Sequence, residues 1–117
     1  MAIDKSLIER FKMKQTADAI NLKTHINEVL KIDNWEISEY CDVEGTYHKV
    51  LALKVLPSGD IYRTEVAAFI EKFASYAEVF KDIPVDDRPC IKITGKTSRK
   101  KNEYISFEIT DESGNPL

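Results

Sequence analysis

The sequence predicts a mainly β domain with two helices, and three observations lead there. Five stretches alternate, or nearly alternate, apolar with polar residues and are bounded by Gly, Pro and Asp turns. A long amphipathic stretch of helical period separates the third of them from the fourth, and a shorter helical stretch precedes them all. The 117 residues suffice for one such domain, and 43% apolar beside 32% charged content is the balance of a folded chain, not a disordered one.

From Ser6 to Lys14, Leu7, Ile8 and Phe11 fall at helical spacing, and Ser6 followed by Glu9 has the form of a capping box, so a short helix is expected. Between Asn21 and Leu30, Leu22, Ile26, Val29 and Leu30 fit one helical face, and a helical turn is expected. From Lys31 to Cys41, Ile32, Trp35 and Ile37 approach alternation in a β-branched and aromatic context, which predicts a strand. Asp42 to Thr46 reads as a turn, Tyr47 to Leu56 as a second strand with Val50, Leu51, Leu53 and Val55, and Pro57-Ser58-Gly59-Asp60 as a turn into Ile61-Tyr62-Arg63.

Thr64 is the expected N-cap of the long helix, whose Val66, Phe69, Ile70, Phe73, Ala77 and Phe80 follow the i, i+3, i+4, i+7 rule. Phe69, Phe73 and Phe80 are expected in the core, and Trp35 in the core or at its end. Asp82 to Pro89 is a two-proline connector, and its Asp82, Asp86 and Asp87 read as surface. Cys90 to Thr94 resumes strand alternation, Gly95 to Asn102 is a polar basic loop, and Glu103 to Thr110 closes the pattern with Ile105, Phe107 and Ile109 on one face. Asp111 to Leu117 reads as a solvated tail. The expected organisation is a helical extension over 1–30, a barrel over 31–111 and a tail over 112–117.

Composition excludes several function classes. No apolar run is long enough to span a bilayer, and Met1-Ala2-Ile3-Asp4-Lys5 has no signal-peptide core behind it, so a cytoplasmic protein is expected. Cys41 and Cys90 lack the spacing of a metal site or disulfide framework, and Glu39 and Asp42 beside Cys41 disfavour a reactive thiolate. His25 and His48 have no partner at ligand spacing, and no HExxH, Walker loop or Ser/His/Asp set is present. The reading is of no enzyme, no metal, no cofactor, no membrane and no small-molecule substrate. Net charge is −3, yet between Arg88 and Phe107 six basic residues (Arg88, Lys92, Lys96, Arg99, Lys100, Lys101) face one acidic residue, Glu103. An acidic remainder with a segregated basic surface can still attract phosphate.

Three strands in a meander, a helix, then two strands is the element order of an OB-fold, a five-stranded Greek-key barrel that binds oligonucleotides on its second and third strands and through its first and last hairpin loops. On this chain those places are Tyr47 to Arg63, Asp42 to Thr46 and Gly95 to Asn102. Within that frame Ser58-Gly59-Asp60-Ile61-Tyr62, the helix through Phe69 and Phe73, and Ile91-Lys92-Ile93-Thr94-Gly95-Lys96-Thr97-Ser98-Arg99-Lys100-Lys101-Asn102-Glu103-Tyr104-Ile105-Ser106-Phe107 form a pattern over Ile32 to Ile109. It resembles the small single-stranded DNA-binding proteins of phages and mobile elements. The segment before Asn21 departs from that pattern, and Gly114-Asn115-Pro116-Leu117 carries no acidic partner-binding tail.

The resemblance implies a non-catalytic protein that coats single-stranded DNA in replication or recombination. Such binding needs cations for the phosphates and aromatic faces for the bases. The candidate contacts are Tyr47, Lys49 and Lys54 on the second strand, Tyr62 and Arg63 on the third, and Lys92, Lys96, Arg99, Lys100, Lys101 and Tyr104 around the last hairpin. RNA meets the same chemistry, because stacking and phosphate contacts ignore the 2′-hydroxyl. A sheet edge or the N-terminal helix would mediate any self-association. The competing reading is a phage-type interaction module, an inhibitor or adaptor that offers its acidic surface to a host nucleic-acid-binding protein. A basic groove with exposed aromatics favours the first reading, and contiguous acids with buried aromatics favour the second.

Overall fold

The computed structural model of the chain describes residues 4–15, 19–97, 99–101 and 103–117. It is mainly β, as expected, but its sheet has six strands and not five. These are β1 (Ile20–Asn21), β2 (Val29–Cys41), β3 (Tyr47–Leu56), β4 (Ile61–Thr64), β5 (Cys90–Thr97) and β6 (Glu103–Thr110), with helices α1 (Lys5–Lys14) and α2 (Ala67–Phe80). The sheet order is β1-β4-β3-β2-β5-β6, antiparallel except that β1 runs parallel to β4. That added strand ends at Asn21, where the expected helical turn of 21–30 would begin. Within 21–30 only Leu22–Thr24 is helical, a 3-10 turn started by the Asn21 side chain accepting the Lys23 N–H at 3.0 Å, and β2 already begins at Val29.

Alternation places the core between the sheet and α2. Leu51, Leu53 and Val55 of β3, Ile91 and Ile93 of β5, and Ile105 and Phe107 of β6 pack against Phe69, Ile70, Phe73 and Tyr76 of α2. Phe73 is fully buried, and removing such a ring costs about 3–5 kcal/mol. Trp35 meets Phe73 edge-on at 5.6 Å and belongs to this core, and Phe80 packs partly buried against it.

The imperfect alternation of Ile32, Trp35 and Ile37 has a structural cause. The β2–β3 register shifts between Ile32 and Asn34, so Asp33 is the extra residue of a bulge. Even-numbered Leu30 and Ile32 face the core before it, and odd-numbered Trp35 and Ile37 take that face after it. The bulge lets one strand serve two partners, pairing with β5 at Val29 and Leu30 and with β3 from Lys31 to Cys41. Arg88 secures it. Its Nη1 donates to the carbonyls of Ile32 at 3.2 Å and Asp33 at 3.0 Å, and its guanidinium lies 5.1 Å from the Trp35 ring centroid.

Other expectations are corrected in detail. Asp4, not Ser6, caps α1, accepting the Ser6 N–H at 2.9 Å. Thr64 ends β4, where its hydroxyl accepts the Val66 N–H, and α2 starts from Val66 without a side-chain cap. β5 runs on to Thr97, so Gly95, Lys96 and Thr97 are strand, not loop. Ser98 and Asn102 of the expected basic loop lie outside the described residues. Ile109 is exposed while Thr110 is buried, which breaks the expected inward set of β6. The C-terminal residues are not a free tail. The Asp111 carboxylate accepts the backbone N–H and side-chain amide of Asn115 and the N–H of Ser113, which hold its pKa below the ordinary value, and Pro116 returns to bridge Thr110.

Among the described residues no hydrogen-bonded pairing joins β4 to β6, so the curled sheet stays open along that seam. Lys72 of α2 donates to the Phe107 carbonyl on the free edge of β6, and its ammonium lies 4.9 Å from the Phe107 ring centroid. A charged side chain on an edge carbonyl blunts a strand edge that would otherwise pair. Among the described residues no helix is long and apolar enough to cross a membrane.

Candidate nucleic-acid interface

Register fixes the geometry of the last hairpin. Lys96 stands directly opposite Tyr104, Thr94 opposite Ser106 and Lys92 opposite Glu108, so these even-numbered residues share the face turned away from the core. Gly95 and Ile105, on the other parity, line a cleft of about 340 Å³ together with Lys96, Tyr104, Glu103, and Lys23 and Ile26 from the 3-10 turn region. A Cβ at Gly95 would stand 3.3 Å from Ile26 Cδ1, so the glycine is what lets Ile26 close over β5. Arg99, Lys100 and Lys101 are exposed at the hairpin tip, and Lys101 adopts a left-handed φ of 61°.

Lys23 extends the basic surface. It lines this cleft and also a neighbouring one bounded by Asn21, Arg63, Thr64 and Glu65. A run of cations therefore extends from Lys23 to Lys96 and the tip. Lys23, Lys96, Arg99, Lys100 and Lys101 have no carboxylate partner among the described residues. Lys23 and Ile26 were missed from sequence because their stretch read as a helical turn with no motif. The one available signal is a lysine two residues after Asn21.

The expected β3–β4 contacts are dispersed. Lys54 lies under α1, 3.0 Å from Glu9 and 3.7 Å from Asp33, and its ammonium is held above its ordinary pKa chiefly by the Glu9 hydrogen bond. Val50 and Ala52 on that face are buried, as is Met13 of the helix that packs on β2 and β3. Tyr62 is 7% exposed with its ring edge-on to His25 at 5.3 Å, so it offers no face to a base. Arg63 is paired with Glu65. Arg88, counted in the basic segment, is committed to backbone carbonyls. Lys92 remains half-buried beside Glu108.

Tyr47 and Lys49 sit elsewhere, at the end of the β2–β3 hairpin. The Asp42–Thr46 turn there is a closed acidic knot. The Asp42 carboxylate accepts the Glu44 and Thr46 N–H groups at 2.9 Å and meets His48 Nε2 at 2.8 Å, and these bonds, His48 first, hold its pKa below the ordinary value. Tyr40 stacks on His48 at 4.9 Å and donates to Glu65 at 3.0 Å. A turn whose polar groups are satisfied internally and whose charge is negative does not attract phosphate. The structure thus gathers Lys96, Tyr104, Arg99, Lys100 and Lys101 with Lys23, and sets the β3 candidates apart. Among the described residues no group of three His, Cys, Asp or Glu side chains is arranged to hold a metal ion. In comparisons with known proteins, no family model, curated protein or solved structure matches this chain.

Proposed function

We propose that this chain is a non-catalytic single-stranded DNA-binding protein of OB-fold type, coating exposed strands in phage or mobile-element replication or recombination. Its contact surface is the β5–β6 hairpin with Lys23, not the β3–β4 face. The observation that carries this reading is the cross-strand pair Lys96 and Tyr104, a cation and an aromatic ring at one cleft beside Lys23 and three further tip cations. That pairing supplies the two ingredients of sequence-tolerant single-strand binding, phosphate neutralisation and base stacking. The sheet order lends support to the fold assignment. Without β1, the sequence β4-β3-β2-β5-β6 is that of a five-stranded Greek-key barrel opened along its closing seam.

The test is equilibrium binding to a fluorescent oligo-dT strand, with a duplex of equal length and an oligo-U strand as controls. Five cations on the phosphates imply a log–log salt slope of about −3 to −4, so affinity falls about a hundredfold between 50 and 200 mM salt. Tight, salt-sensitive binding to the single strand supports the reading. No binding at low salt, or equal binding to duplex, removes it.

A further inference from the structure

The N-terminal helix is turned inside out. Met13, Glu9 and Arg10 face its own sheet, with Arg10 and Lys14 on Glu36 and Glu9 on Lys54. Leu7, Ile8 and Phe11 fall on the opposite side and are 58%, 40% and 66% exposed. A helix that spends its charged residues on its own domain and presents its largest apolar ones to solvent has the form of a docking element. Exposed Lys5 and Lys12 flank the apolar triad and disfavour pairing of two such helices.

The other side of the sheet carries a complementary surface. Between the β2–β3 hairpin and α2 lies a groove of about 440 Å³, walled by Ile37 and Tyr47, floored by Ile70 and bordered by Ala67, Ala74 and Glu71. Tyr47 is 75% exposed. Glu65 also lines the groove but is paired with Arg63, Glu39 stands across from Lys49 on the same face, and Glu71 has no cationic partner among the described residues, so the border carries a net negative charge. An apolar channel with a net negative border complements in sign an apolar helix face flanked by Lys5 and Lys12.

We propose that α1 of one copy docks its Leu7–Ile8–Phe11 face into the α2–hairpin groove of a second copy. The helix and the groove lie on opposite faces of the sheet, so no copy fills its own groove. The contact is heterologous and propagates copy to copy, leaving the β5–β6 hairpin of every copy free. It does not depend on the proposed DNA contact, because neither surface uses that hairpin.

The test is sedimentation of the full chain without DNA, from micromolar to millimolar concentration. The average mass is expected to rise without levelling at a dimer. Phe11→Ser and, separately, Ala74→Arg each leave a monomer, and Glu71→Lys weakens association by about tenfold through charge reversal. All three positions are exposed, and matched circular dichroism and melting confirm that each variant folds. Mixing Phe11→Ser, whose groove is intact, with Ala74→Arg, whose helix is intact, restores one contact and gives a one-to-one complex that grows no further. A wild-type monomer at every concentration overturns the proposal. So does association that Phe11→Ser abolishes but Ala74→Arg leaves intact, since the helix then has another partner surface. Binding of monomers to anionic lipid vesicles through Phe11 likewise overturns it.

Discussion

Replacing Arg88 has a measurable consequence, because its guanidinium ties the end of α2 and the connector after it to the β2 bulge. Its Nε donates to the Ile83 carbonyl at 2.7 Å and the Phe80 carbonyl at 3.2 Å, while Nη1 holds both carbonyls of the bulge and the ring of Trp35 lies beneath. Arg88→Ala unpairs these acceptors. A hydrogen bond to a charged donor contributes about 1.5–3 kcal/mol, but the Ile83 carbonyl reaches water and the bonds share one side chain, so a sum over all of them overstates the loss. Full cost is expected for the two bulge carbonyls, giving about 3 kcal/mol in total. Arg88→Lys should recover less than half, because one ammonium cannot reach both the bulge and the helix end. Urea unfolding followed by Trp35 fluorescence reads this directly, with a midpoint drop of about 1–2 M at unchanged slope. A loss below about 0.5 kcal/mol for Arg88→Ala would place Arg88 among ordinary surface cations and refute the bulge-locking role.

Further outcomes follow from the same geometry. Tyr104→Ala should weaken single-strand binding by about 1–3 kcal/mol while Tyr62→Phe leaves it unchanged, measured by anisotropy on the same oligo-dT strand. Gly95→Val should press Ile26 out of the cleft and lower affinity severalfold with a small change in melting temperature. A wild-type affinity would mean the cleft is not used. The Asp42 carboxyl titrates below its ordinary value of 3.8 in the folded chain, so its stabilisation is complete above that pH and is lost as pH falls further. Asp42→Asn should therefore flatten the acid limb of stability measured by urea midpoint against pH, and an unaltered limb would show that the knot contributes nothing. Tyr76 donates to the Pro89 carbonyl at 2.8 Å and burial pushes its pKa up to about 12. The unfolded chain gives up this proton first, so stability should fall as pH rises above 10, and Tyr76→Phe should remove that part of the alkaline loss.

Much of the architecture was legible because alternation and period are local. Tyr47 to Leu56 and Glu103 to Thr110 match their strands residue for residue, and α2 follows its apolar period. What the residues did not reveal depends on contacts distant in sequence. Ile20–Asn21 is a strand only because β4 lies alongside, and two residues carry no periodicity. The spacing of three between Ile32 and Trp35 was visible, but a bulge became its meaning only once Arg88, 55 residues away, met the Asp33 carbonyl. The same limit governs the site. Charge density marked the β5–β6 hairpin correctly as a basic element, whereas nothing local distinguishes free Lys96 from Lys54, which α1 neutralises. Tyr62 and Tyr104 likewise occupy similar strand contexts, and packing alone buries one and leaves the other at a cleft.

On the proposed function, single strands are held by the β5–β6 hairpin and Lys23. Amide chemical-shift mapping of the isotope-labelled chain, titrated with a short oligo-dT strand, tests it most directly. The largest shifts are expected at Lys23, Ile26, Gly95, Lys96, Tyr104 and Ile105, with α1 and the outer face of β3 unmoved. Shifts centred on Val50, Ala52 and Lys54, or none at saturating strand, would contradict it.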